Sequence, residues 1–289
     1  MTNSNKEGLS IAFLGPVGTF SYLAVEAYLQ RKKLGQVSLH EFYSFYDVLS
    51  SVETKALNVA VVPVENLVEG SISETLDFLA HSKNLSITGE IILDVHQHII
   101  GLPGTKLENV TTILSHQQPI AQCKTYIRTY LSAAKIEHTN STTAAIDIVA
   151  QKKDNTLVAI GNPHDLDSKG LVILQSNISD TANNQTRFLV IDNQPLHQKG
   201  TKVSIVFSTA KDVPGGLYKI LKEFADCNIN LTKIESRPSK EEMGSYLFFI
   251  DLQGDLSQQY VKDALQAIEK KATFFKILGV YEEITHASA

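Results

Sequence analysis

Four short segments in the first part of this chain place hydroxyls, amides and glycines just ahead of a helical pattern. They are Gly15–Ser21 (GPVGTFS), Pro63–Ser71 (PVENLVEGS), Ser115–Pro119 (SHQQP) and Asn140–Thr143 (NSTT). Any one of them reads as an ordinary helix cap, because Ser, Thr and Asn accept hydrogen bonds from first-turn N–H groups. Four in one domain suggest a shared purpose. Helix starts collect free N–H groups and partial positive charge, so several starts facing one cleft would hold a small polyanion. Such a site needs no basic patch, and the chain offers none. Its formal net charge is −5, and lysine and arginine form no block. That balance argues against a nucleic-acid or membrane-surface partner, and an anion site must then be built locally.

Other chemistries find little support. Gly15 and Gly18 do not make GxGxxG, and no GxxxxGK[ST] occurs, so a dinucleotide or P-loop site is not indicated. His96 and His98 alternate on a strand pattern without HExxH or a carboxylate cluster, so no metal is expected. No GxSxG elbow is present. Cys123 and Cys227, far apart and outside any CxxC, read as reduced thiols of a cytoplasmic protein. The polar first residues and the lack of a long apolar run predict neither a signal core nor a membrane span.

The elements that must position these loops alternate between β-type and helical patterns. Strands are predicted over 10–14, 37–42, 59–64, 90–100, 111–115, 157–160, 171–174 and 187–192. Helices are predicted over 22–33, 73–81, 119–130 and 143–152. This is α/β architecture, read as two lobes with a cleft between them. A polar linker with proline and glycine, Asn193–Gly200, ends the first domain at 192. From 201 onward the order is strand, helix, strand, strand, helix, strand, a ferredoxin-like βαββαβ unit. No internal repeat of fixed period is apparent.

Five motifs in this order resemble the prephenate dehydratase family. They are GPVGTFS (Gly15–Ser21), PVENLVEGSISETLDFL (Pro63–Leu79), SHQQPIAQC (Ser115–Cys123), STTAA (Ser141–Ala145) and TRF (Thr186–Phe188). Leu67 stands where the family usually has serine, and Gln117 where it has proline. In the second domain, Asp212–Tyr218 (DVPGGLY) and the ESRP of Glu235–Pro238 resemble a phenylalanine-sensing ACT domain. The resemblance implies a two-lobed, periplasmic-binding-protein-like catalytic domain that works without a cofactor. It also implies prephenate as substrate, L-phenylalanine as effector and a homo-oligomer, either a dimer or a dimer of dimers. Too few residues precede the first strand for the chorismate mutase domain that some relatives carry.

The resemblance assigns Thr186 to the departing hydroxyl, with Ser115, His116 and Gln122 as orienting residues. His116 is read either as a proton donor or as hydrogen-bonded scaffold. Thr19, Asn66, Ser141 and Thr142 would hold carboxylates, and Arg187 would pair with the pyruvyl carboxylate. Phe20 and Phe188 read as packing or as recognition. Gly215, Gly216, Leu217, Asn230, Glu235 and Ser236 would bind the effector. Two other readings stay open, an arogenate dehydratase and a non-catalytic small-molecule sensor.

Overall fold

The structure is a computed structural model that describes residues 8–34, 36–209, 214–240 and 244–288, the side chains of 285–288 excepted. Asp212 and Val213 of the expected effector motif lie outside the described residues. The chain begins with β1 (Leu9–Leu14), α1 (Phe20–Lys32), β2 (Val37–Phe42), α2 (Phe45–Glu53) and β3 (Val59–Asn66). The short β4 (Gly70–Ser71), α3 (Ser73–His81) and β5 (Ser86–Asp94) follow. A second lobe holds β6 (His98–Gly101), β7 (Thr112–Ser115), α4 (Gln117–Gln122), α5 (Lys124–Tyr130) and β8 (Lys135–His138). It continues with α6 (Thr142–Lys152), β9 (Leu157–Gly161) and β10 (Val172–Gln175), and β11 (Gln185–Asp192) returns the chain to the first lobe. The C-terminal unit comprises β12 (Lys202–Ser208), α7 (Gly216–Asp226), β13 (Leu231–Pro238), β14 (Tyr246–Gln253), α8 (Gln259–Lys271), β15 (Phe274–Tyr281) and β16 (Glu283–Ser288).

The two lobes repeat one topology. In the first, the strand order is β2-β1-β3-β11-β5, and in the second it is β8-β7-β9-β6-β10. In each, four strands run one way and the fourth in the order, β11 or β6, runs against them. In each, the fourth strand enters from the other lobe, so the chain crosses between them at 95–97 and at 176–184. The run predicted as one strand over 90–100 is therefore two strands in two sheets. Apolar residues continue through Val95, which hides the crossover from periodicity alone.

The central strands of the first lobe are buried on both faces, which explains runs such as VAVVPV in β3. Ile11, Phe13, Val59 and Val61 pack under Ala24, Val25 and Tyr28 of α1. Ala12, Ala60, Val62 and Val64 face α2 and α3, and with them Val206, Leu247, Phe249, Leu278 and Tyr281 of the C-terminal unit. That unit has strand order β13-β14-β12-β15, with α7 and α8 over its other face around Ile205, Phe207, Ile220, Phe224 and Ile250.

The C-terminal unit is therefore one layer of the first lobe, and the joint between them is continuous. Gly279 of β15 pairs with Ile87 of β5, where an added Cβ would lie 2.3 Å from the Ile87 carbonyl oxygen. β16 then runs parallel along β5. No helix among the described residues is long and apolar enough to cross a membrane.

A buried polar network crosses this joint. Arg187 bonds Glu90 at 2.6 Å, Asp251 at 2.7 Å and the Tyr281 hydroxyl at 2.8 Å. Lys202 adds to Glu90, and Ser204 to both Asp251 and Tyr281. Burial alone would pull the guanidinium down, but Asp251, Tyr281 and Glu90 outweigh it and keep Arg187 firmly charged. Removing the cation would leave buried Asp251 without a cation and Glu90 with Lys202 alone. Arg187→Met should therefore lower the unfolding free energy by about 3–5 kcal/mol in urea titration. A loss below about 1 kcal/mol, the level of an exposed pair, would show that the network does not hold the domains together.

Candidate active site

Three helix starts meet at the cleft between the lobes. Thr19 caps α1, its Oγ1 accepting from Tyr22 N at 3.4 Å. Ser141 caps α6 through Ala144 N at 3.0 Å, and His116 caps α4 by accepting Gln118 N on Nδ1 at 3.4 Å. Each loop stands at the C-terminal end of a parallel strand, where open α/β sheets gather their ligands. The cap hydroxyls are thus engaged with their own helices. What remains for a carboxylate is the first-turn N–H groups of Phe20, Ser21, Thr142 and Thr143, which have no acceptor within a helix.

The cleft has a volume of about 790 Å³, and no lysine or arginine lines it among the described residues. Of the expected residues, Thr19, Phe20, Asn66, His116, Gln122, Ser141, Thr142, Thr186 and Phe188 all line it. Phe188 is a buried floor residue, 1% exposed.

Thr186 opens β11 directly opposite Asn66 of β3. The Asn66 side-chain amide donates to Thr186 Oγ1 at 2.8 Å, while Asn66 Oδ1 accepts from Val68 N and Glu69 N, both at 3.0 Å. One asparagine therefore shapes its loop and holds the threonine. Because Thr186 Oγ1 is the acceptor in that bond, its own proton remains to donate into the cleft.

Two expectations are corrected by geometry. Arg187 does not reach the cleft, because strand alternation turns it to the opposite face of β11 from Thr186 and Phe188. Its partners are those of the domain joint. Ser115 is fully buried and donates to the Ile160 carbonyl at 2.6 Å, tying β7 to β9 beneath the cleft rather than lining it. The two departures from the family motifs also fall outside the cleft lining. Leu67 is 64% exposed, and Gln117 is exposed at the first position of α4.

Motif reading did not single out Glu69, Gln118 or Gln97. Glu69, on the β3–β4 loop, accepts from Gln122 at 3.0 Å and from Gln118, so one carboxylate bridges the two lobes. Both positions lie inside quoted motifs, but only the folded chain brings them together. Gln97 sits at the crossover and donates to Gln122 Oε1 at 3.3 Å. The lobes are further joined by Asn162 to the Gly18 carbonyl at 2.8 Å and by Thr143 to the Val17 carbonyl at 3.4 Å.

The expected effector residues divide between two ends and two faces of the C-terminal sheet. Ser208 and Arg237 both pair with Leu247, so the ESRP end of β13 lies at the end of the sheet where β12 leads toward α7. Gly215, at φ 78, and Gly216 begin α7 there, followed by Leu217, which packs into the helix-covered core. Asn230 precedes the opposite end of β13 and bonds Gln253 at 3.0 Å. Ser236 is exposed, whereas Glu235 faces the catalytic domain, where Ser71 donates to it at 2.5 Å. Beside it, Lys233 pairs with Glu65 at 3.0 Å and Arg237 with Asp77 at 2.8 Å.

Comparison with known proteins agrees with this layout. The prephenate dehydratase family matches residues 11–196, and the ACT domain matches 203–270. The chain is 41% identical to the prephenate dehydratase of Methanocaldococcus jannaschii, over 94% of this chain and 97% of that protein. It is 30% identical to the Bacillus subtilis prephenate dehydratase, over 95% and 99% respectively. The crystal structure of an Arthrobacter aurescens prephenate dehydratase in complex with L-Phe superposes with a TM-score of 0.85 at 28% identity. It covers 96% of this chain and 90% of that one. On these grounds the chain belongs to the prephenate dehydratase family and carries a C-terminal ACT domain.

Proposed function

We propose that the cleft converts prephenate to phenylpyruvate, as a carbon–oxygen lyase, and that L-phenylalanine restrains it through the ACT domain. The observation that carries the catalytic reading is the Asn66–Thr186 pair in a cleft ringed by helix starts. Prephenate is a dianion. In the reaction the bond to the ring carboxylate breaks, its electron pair enters the ring, and carbon dioxide leaves. The carbon–oxygen bond opposite breaks, and the departing hydroxide takes a proton from solvent and becomes water. Aromatisation drives the step, so the protein needs to orient the dianion and stabilise charge on the leaving oxygen.

Thr186 supplies that stabilisation. Its hydroxyl is too weak an acid to give up its proton, but as a fixed, buried donor it favours the charged leaving oxygen. The helix starts suit the two carboxylates better than arginine would. The ring carboxylate must shed its charge, and a tight ion pair would stabilise it in the ground state.

Turnover is followed by the alkaline ultraviolet absorbance of phenylpyruvate over the spontaneous background. Thr186→Val should lower kcat by about 10²–10³ with a smaller change in KM. Asn66→Asp, which keeps the loop acceptors but no longer donates to Thr186, should fall by a similar factor. Near-normal turnover in both would remove the pair from the mechanism, and no turnover in the unaltered protein would favour a non-catalytic sensor. A chelator should leave the rate unchanged.

The regulatory reading rests on β13. Its outward residues, Ile234 and Ser236, are exposed on an edge strand, while inward Lys233, Glu235 and Arg237 grip Glu65, Ser71 and Asp77. Glu65 and Ser71 flank the loop that carries Asn66 and Glu69. Within one chain Asn230 stands at the far end of the sheet from Gly215 and Gly216. An effector site using all three therefore needs a second copy, in keeping with a dimer or dimer of dimers. Effector binding at the outer face would shift β13 and, through its inner face, the catalytic loop.

Point variants are the suitable probe, because removing everything after 195 would strip β16 and uncover the shared core. In Lys233→Met, phenylalanine should still bind by calorimetry, while its inhibition of turnover weakens by about fivefold or more. Unchanged inhibition would show that the coupling runs elsewhere.

A further inference from the structure

Gln97 is 1% exposed and lies where the chain passes from β5 in one lobe to β6 in the other. Its backbone is fixed on both sides, N donating to Ser179 Oγ at 3.3 Å and O accepting from Ile178 N at 2.9 Å. Its side chain lines the cleft, and its Oε1 has no hydrogen-bond partner among the described residues.

That free oxygen follows from a chain of donors and acceptors beginning at Glu69. An ionised carboxylate only accepts, so the end of Gln122 that meets Glu69 must be its NH2. Gln122 Oε1 must then face Gln97, which can meet it only with its own NH2. The Gln97 carbonyl oxygen is what remains. A buried acceptor without a partner is uncommon in folded proteins and calls for an explanation.

We infer that Gln97 is a positioning residue for the dehydration: its NH2 holds Gln122 Oε1 and so fixes the rotation of the Gln122 carboxamide at the edge of the cleft. The inference rests on the prephenate reading above. By holding Gln122 Oε1, Gln97 keeps the Gln122 NH2 turned toward Glu69 across the cleft, so the two lobes face the substrate in one arrangement.

Gln97→Met keeps the side-chain volume and removes both polar ends. It should lower kcat by about tenfold or more, with KM changed by less than about threefold, because what is lost is the alignment of Gln122 in the cleft and not the hold on the carboxylates. In a Gln122→Ala background the same substitution should lower kcat by less than about twofold, since residues acting through one another are not additive. Full activity in Gln97→Met, or a loss of equal size in both backgrounds, overturns the inference.

Should Gln97→Met fail to fold, Gln97→Glu decides. Its ionised carboxylate cannot donate to Gln122 Oε1, whereas its protonated form can. Activity relative to the unaltered enzyme should then rise as pH falls, and a ratio constant with pH overturns the proposal. Prephenate turnover by the unaltered protein, measured alongside, separates failure of this inference from failure of the reading on which it rests.

Discussion

Strand β11 is the constraint on which both domains depend, because its period-two alternation gives adjacent residues opposite tasks. Thr186 and Phe188 face the cleft, and Arg187 between them faces the domain joint, held by Glu90, Asp251 and Tyr281. A slip of one residue would exchange the hydroxyl donor for a cation. The register is held on both sides, by β3 and by β5, and the buried ion network adds a penalty for any other pairing. The position of the donor in the cleft is thereby tied to the docking of the ACT domain.

The cleft itself is built by doubling one topology. Each lobe directs the C-terminal ends of its parallel strands, and the helix starts beyond them, toward the other. The result is a cleft ringed by helix starts with no lysine or arginine among the described residues that line it, which fits a chain of net charge −5. Glu69 is the exception, a carboxylate in an anion site. Its hydrogen bonds from Gln118 and Gln122 occupy both oxygens and make it a bridge between lobes.

The α/β class, the ferredoxin-like second unit and most helices were legible in the sequence, because their periodicity and caps are local properties. α2 was also legible yet passed over: Phe45, Val48, Leu49 and Val52 lie at helical spacing behind the Ser44 cap. β8 was not, since three of its four residues are polar and none is buried. Motifs located most cleft-lining residues, but a motif carries no direction. Arg187 and Ser115 stand in the right segments and point elsewhere, one by strand alternation and the other because β9 takes its hydroxyl. Gln97 had no local signal at all, since its importance arises only where two lobes meet.

The central claim is that two carboxylates rest on helix starts while Thr186 meets the leaving oxygen. The most direct measurement is a crystal structure of the complex with a non-reactive prephenate analogue that keeps both carboxylates and the ring hydroxyl. The account predicts carboxylate oxygens at about 2.7–3.2 Å from first-turn N–H groups of α1 and α6, and the ring hydroxyl within hydrogen-bond distance of Thr186 Oγ1. An analogue bound with its ring hydroxyl away from Thr186, or with its carboxylates held by basic side chains, would contradict it.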